Sequence, residues 1–127
     1  MTSLVTSLTI DCGDPRAVAG FWCNALGYVI DDDDDEGAMI VDPSGRHWPI
    51  LFLVVPDTKS TKNRSHLDLS PPTTMAAEVD RLVTAGAAVV RRVDEHGSYW
   101  TVMTDPEGNE FCVLRGPDDE PPKPRPA

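Results

Sequence analysis

Three short stretches of the 127-residue chain carry side chains able to hold a proton, a metal ion or a polar ligand. They are Ser7-Leu8-Thr9-Ile10-Asp11, His66-Leu67-Asp68 and Glu110-Phe111-Cys112. Polar and apolar residues alternate in each, the period of a strand buried on one face. Leu8, Ile10, Leu67, Leu69, Phe111 and Val113 are then expected to pack inward. Ser7, Thr9, Asp11, His66, Asp68, Glu110 and Cys112 would share the opposite face, where polar groups need water, one another or a ligand. His66 beside Asp68 or Glu110 suits acid–base work, because a carboxylate orients and charges an imidazole. The competing reading is a histidine that only hydrogen-bonds across a cleft. Cys112 would serve as a nucleophile if a cation lowered its pKa, but neighbouring carboxylates act the other way and favour a small packing thiol. Glu110 either joins the site or satisfies backbone donors after Gly108. Trp48 and Trp100 offer walls for a ligand or cover the core, Trp48 also suiting a dimer contact. His47 and His96 fall in polar loops and are expected to be exposed.

These residues need a scaffold, and the chain supplies one twice. A strand from Leu4 to Ile10 is followed by Asp14-Pro15, a cap and a proline suited to the first helical position. Val18, Phe21, Trp22 and Ala25 follow at helical spacing, and Gly27 stops the helix. Gly20 within it predicts a close approach by another backbone. Strands are expected at 28–32, 38–42 and 49–55, with a tight turn at Asp42-Pro43-Ser44-Gly45. The second half repeats the order. It has a strand at 65–69, a helix opened by Pro71-Pro72-Thr73-Thr74 with Met75, Val79, Leu82 and Val83 inward, and a stop at Gly86. Strands follow at 88–93, 99–104 and 110–114, with the turn Asp105-Pro106-Glu107-Gly108. A shift of 59 positions superposes Leu8 on Leu67, Asp14 on Thr73 and Gly27 on Gly86; later the shift is 63. The extra four residues predict a longer hairpin loop around 93–98. Strand-helix-strand-strand-strand, twice, is the expected organisation: one domain over 1–116, as module one (1–57) and module two (58–116).

Composition narrows the partners. Asp and Glu number 21 against 11 Lys and Arg, a net charge of -10. That excludes a phosphate-neutralising nucleic-acid surface and disfavours an anionic membrane. No apolar run approaches the ~18 residues of a membrane span, and no secretory signal is visible at the start. Three scattered cysteines (Cys12, Cys23 and Cys112) fit reduced thiols in the cytoplasm. Asp31–Glu36 carries six of the ten net negative charges and reads as a solvated loop or strand end. A hard-cation site there would need oxygens converging on one centre. Residues 117–127, five of them proline, read as a disordered or extended tail.

The layout, with Leu26-Gly27-Tyr28 after the first helix, Arg64–Leu69 and Asp105–Cys112, resembles the glyoxalase/bleomycin-resistance/extradiol-dioxygenase (vicinal oxygen chelate) superfamily over Leu4–Arg115. The resemblance implies an α+β fold of two paired βαβββ modules forming a curved mixed sheet around a cup-shaped cleft, commonly as a homodimer. It also implies metal ligands on the first and last strands of each module. The matching positions here are Ser7, His66 and Cys112, while 49–55 offers no ionisable or amide side chain. His66 alone is a strong match, and one His with one Cys is poor provision for a metal. No glyoxalase-I-type metal centre or other cofactor is therefore expected, with a divalent metal the lesser alternative. Three functions compete: binding or sequestering a small metabolite or antibiotic; a metal-independent lyase or isomerase using His66 with Asp68 or Glu110; and a metal enzyme completed across a dimer. Ser7, Thr9, Asp11, Trp48, Trp100 and Cys112 are the expected ligand contacts.

Overall fold

The computed structural model describes residues 1–95 and 97–121; His96 and residues 122–127, with the expectations placed on them, lie outside the described residues. The elements run β1 (Leu8–Cys12), α1 (Pro15–Leu26), β2 (Val29–Asp33), β3 (Gly37–Val41) and β4 (Ile50–Val54). They continue with β5 (Leu67–Leu69), α2 (Met75–Ala85), β6 (Ala88–Glu95), β7 (Ser98–Thr104) and β8 (Glu110–Leu114). The fold is α+β, two βαβββ modules, each closing a four-stranded mixed sheet of its own. The chain divides into two compact units at Ser60/Thr61.

In the first unit the strand order is β1-β4-β3-β2, with β1 parallel to β4 and the other pairs antiparallel. Helix α1 begins where the Asp14 carboxylate accepts the Ala17 N–H, and ends at Gly27, whose φ of 72° is open to glycine at little cost. Its inner stripe of Val18, Ala19, Phe21 and Trp22 is buried. The Phe21 and Trp22 rings meet edge to face at 5.2 Å. Ala38 and Ile40 of β3 and Ile50 and Phe52 of β4 are also buried. The core lies between that helix and one sheet face.

Two expectations fail in this unit. The first strand begins at Leu8 rather than Leu4, and Leu4 and Val5 are exposed. Leu8 N–H donates to the Pro49 carbonyl, and before Ile50 the partner offers a proline, which has no N–H for the ladder. Gly20 meets no neighbouring backbone: a Cβ built there would touch nothing within 4 Å. The acidic run is partly strand end, and Arg16 pairs with Asp33 at 3.0 Å and Asp35 at 3.5 Å.

The second unit repeats the topology as β5-β8-β7-β6, with β5 parallel to β8. The cap of α2 is Thr74, not Thr73, so this helix is one residue shorter than α1. Val83 is 45% exposed, against the expectation that it faces inward. Glu78 occupies a buried position instead, with its carboxylate on the Arg81 guanidinium at 2.6 Å. A buried carboxylate needs such a partner. The residues added around 93–98 lengthen the strands rather than a loop, since Glu95 pairs with Ser98. The two Asp-Pro-x-Gly turns behave alike. Asp42 accepts from the Ser44 backbone and hydroxyl, Asp105 accepts from the Glu107 and Asn109 N–H groups, and Gly45 and Gly108 take positive φ.

Residues 118–120, assigned by composition to the tail, bond back onto this unit. Asp118 N–H donates to Thr73, and Tyr99 O–H donates to the Glu120 carbonyl. One Asp119 carboxylate oxygen accepts from both Gly116 N–H and Met75 N–H at 2.7 Å, so it caps the start of α2. Gly116 is needed for this approach, because a Cβ there would collide with the Thr73 carbonyl.

The two N–H donors hold the Asp119 carboxyl below its ordinary 3.8. A depressed folded-state pKa gives stability that is full above the ordinary value and is lost as pH falls through the lower one. Asp119→Asn is therefore expected to lower Tm at pH 7, with the gap between the two proteins narrowing in thermal melts as pH falls below the ordinary carboxylate range.

Candidate functional site

The parallel pairing of β5 with β8 aligns Leu67 with Phe111, Asp68 with Cys112 and Leu69 with Val113. Paired residues of a parallel ladder point to the same face. Phe111 and Val113 are fully buried toward α2 with Met103 and Leu82, which sends Asp68 and Cys112 to the other face. His66 lies two residues before Asp68, on its side. Its Nδ1 is 3.4 Å from the Asp68 carboxylate, and both side chains are about half exposed. One ligand atom from each of His66, Asp68 and Cys112 lies within 4.8 Å of the others. Three of the expected site residues therefore meet at one point.

Cys112 is buried beneath the other two. Burial pushes its thiol up, and the Asp68 charge and hydrogen bond push it further, against weaker opposition from Lys62 and Arg91. In this protein alone the sulfur is a protonated thiol at neutral pH and a poor nucleophile. Lys62 and Arg91 thus add positive charge to the surroundings of the thiol.

Glu110 has another task. Its carboxylate accepts the Asn63 N–H at 2.9 Å, and its own N–H donates to the Asn63 side-chain oxygen at 3.2 Å. The Asn63 amide also reaches Asn109 at 3.4 Å. This reciprocal clamp fixes the segment that carries His66. It also explains why β5 begins at Leu67 rather than Ser65, because the Glu110 N–H is already used. Asn63 was not singled out from sequence; an asparagine in a Lys-Asn-Arg loop carries no signal until its partner 47 positions away is known. Trp100 pairs with Leu114 across β7 and β8, on the same sheet and half-buried.

The remaining expected contacts lie on the first unit. Thr9 and Asp11 are exposed on β1, Ser7 is half-buried just before it, and Trp48 is 56% exposed. Trp48 also gives its carbonyl to the Tyr28 hydroxyl. The β4 residues aligned with Thr9 and Asp11 are Leu51 and Leu53, so no cluster like that of the second unit forms here.

Residues 7–114 match the glyoxalase-like domain family. The chain belongs to that family. A search of curated proteins gives no match. Among solved structures it is similar to a fosfomycin resistance protein from Listeria monocytogenes, solved with Mn(II) and 1S,2S-dihydroxypropylphosphonic acid. That match has a TM-score of 0.73 at 13% identity and covers 91% of this chain and 92% of that one. A bleomycin-binding protein from Streptomyces verticillus, solved with copper(II)-bleomycin, matches at a TM-score of 0.60 and 17% identity, covering 91% and 99%. A glyoxalase/bleomycin resistance protein/dioxygenase family enzyme from Burkholderia phytofirmans matches at 0.70 and 16%, covering 85% and 94%. These likenesses are of fold.

A metal such as the Mn(II) of the Listeria protein can be tested against the residues present. Hard cations favour carboxylate, carbonyl and water oxygens, six or more in number. The cluster here offers one nitrogen, one oxygen and one sulfur. It does not fit a hard-cation centre.

Because Asp68 helps to keep the Cys112 thiol protonated, Asp68→Asn in chelator-treated protein is expected to speed alkylation of Cys112 several-fold at pH 8. Peptide mass spectrometry after timed iodoacetamide exposure measures it; an unchanged rate would show that burial alone sets the thiol.

Proposed function

We propose that the protein binds or sequesters a small polar metabolite or antibiotic, using the open face of the second unit. The observation that carries this reading is the convergence of His66, Asp68 and Cys112 where two of the three remain accessible. Exposed, mutually adjacent donors and acceptors on a rigid strand pair can orient a ligand, and the aromatic surface of Trp100 supplies a neighbouring apolar wall. The positive charges of Lys62 and Arg91, felt at Cys112, and the carboxylate of Asp68 suit a ligand that carries both donor and acceptor groups better than a simple cation. Glu110, held by Asn63, positions this face rather than touching the ligand. Support from outside the chain is the family membership and the fold shared with a bleomycin-binding protein. Ser7, Thr9, Asp11 and Trp48 lie on the first unit and are proposed as ligand contacts of that unit's own exposed surface.

One observation favours a second reading. The Asp68 carboxylate faces His66 Nδ1, as an orienting group faces a general base, leaving Nε2 for a substrate proton. A metal-independent lyase or isomerase would use that pair. The reading also takes the protein as a cytoplasmic homodimer, in keeping with its free cysteines and with the exposed Val29 and Ile30. Among the described residues no helix is long and apolar enough to cross a membrane.

A thermal-shift screen of metabolites and antibiotics on chelator-treated protein, followed by calorimetry on hits, tests the proposal. Asp68→Asn and His66→Ala are each expected to weaken a genuine hit by roughly tenfold or more, the scale of one lost charge-assisted hydrogen bond. The ligand should be recovered unchanged. Product formation that His66→Ala abolishes without loss of affinity would replace binding with catalysis. Hits indifferent to both substitutions would remove this face from the account.

A further inference from the structure

The β5–β8 pair that carries the site is the shortest ladder of its sheet, with three residue pairs in register. Asp68 and Cys112 form the middle pair, so a single lost pair at either end leaves them at a fraying edge. Beyond Leu69 the chain runs into Pro71 and Pro72, which have no N–H to give a ladder. In the first unit the backbone carries the equivalent pairing on by itself, the Val55 N–H donating to the Cys12 carbonyl. In the second unit side chains close both ends. The Asn63–Glu110 clamp stands at the entry. At the exit, the chains leaving β5 and β8 meet at Gly116, where the missing Cβ leaves room for the Thr73 carbonyl and the Pro71 ring. One Asp119 carboxylate oxygen accepts both the Gly116 N–H, just past β8, and the Met75 N–H, the first of α2, each at 2.7 Å. We propose that Asp119 is a positioning residue of the site, locking the far end of the β5–β8 ladder so that Asp68 and Cys112 keep their spacing. The inference rests on the reading that this face holds the ligand, and adds a residue outside the face that governs its geometry.

The lock is charged, and it is itself held in place. An ionised acceptor makes stronger hydrogen bonds than a neutral one, and Arg115 and Arg92 add attraction at the carboxylate. Arg92 also lies over the Tyr99 ring at 4.9 Å, and the Tyr99 O–H donates to the Glu120 carbonyl, which anchors the residue after Asp119 on β7. The Asp118 N–H, on the Thr73 carbonyl at 3.1 Å, completes the strap. All of these partners belong to the second unit. Removing the carboxylate frees both exits at once, since β8 loses its tie just past Leu114 and the 70–74 link loses its anchor at Met75. Fraying then begins at the Leu69–Val113 pair and reaches Asp68–Cys112 next. Thr74 supplies the contrast. Its hydroxyl oxygen caps the same helix by accepting the Ala77 N–H, a bond that does not involve the chain leaving β8.

Two rates measured on the reduced, metal-free full chain provide the test: iodoacetamide alkylation of Cys112, read by peptide mass spectrometry, and deuterium exchange at the Asp68 and Cys112 amides. Asp119→Ala is expected to speed both by roughly tenfold or more, the scale of one lost charge-assisted hydrogen bond. Asp119→Asn, which keeps a neutral acceptor oxygen, should give a smaller rise. Thr74→Ala should lower Tm, as loss of a cap does, and leave both rates near those of the parent. If the alanine variant does not fold, Asp119→Asn read against Thr74→Ala decides the question. Rates unchanged by the Asp119 substitutions would overturn the inference. So would rates raised as much by Thr74→Ala, because the stability of α2 would then be the whole cause. Neither rate uses a ligand, so the binding proposal fails separately. The graded pattern of rates with no thermal-shift hit would sink binding and leave the lock. Hits weakened by Asp68→Asn, with flat rates across the Asp119 variants, would sink the lock and leave binding.

Discussion

The parallel pairing of β5 with β8 is the constraint on which the site depends. Parallel neighbours need a long crossover, and here α2, β6 and β7 lie between the two strands in sequence. Once the register aligns Asp68 with Cys112, the burial of Phe111 and Val113 against α2 fixes which face the polar residues take. A slip of β5 by one residue along β8 would turn Asp68 into the core and Leu67 and Leu69 outward. The hydrophobic term that holds the register is therefore the same one that assembles the polar cluster. Asn63 and Glu110 add a polar lock at the strand start, where the ladder has not yet begun.

The two units show what the pairing does and does not supply. In the first, β1 and β4 pair in the same parallel manner, and α1 buries a comparable stripe. Yet Thr9 and Asp11 align with Leu51 and Leu53, so the same backbone yields no cluster of donors. Topology places positions side by side; residue identity decides whether they can do chemistry. Only the second unit combines an imidazole, a carboxylate and a thiol at those positions among the described residues.

Much of this architecture was legible from local signals. Asp14 with Pro15, Gly27, and the two Asp-Pro-x-Gly turns are features whose chemistry acts within a few residues, and the structure places them as expected. The alternation in β8 also reproduced its limits, Glu110–Leu114. Legibility failed where a distant partner decides. The start of β1 depends on Pro49, and that of β5 on Asn63. Glu78 took a buried place because Arg81 neutralises it, while Val83 fell outside the packed stripe. The capping role of Asp119 needed the chain to return past Thr73, which a proline-rich composition does not suggest. For the site, alternation placed His66, Asp68 and Cys112 on one face; that they converge within 4.8 Å is a tertiary fact.

The central claim is that one nitrogen, one oxygen and one sulfur from β5, β8 and the residue preceding β5 meet at a single point able to hold a ligand. Nuclear magnetic resonance of metal-free protein titrated with a thermal-shift hit reads that point directly. The account predicts shift changes centred on His66, Asp68 and Cys112 that are lost with Asp68→Asn. Shift changes that leave these three residues untouched would contradict it.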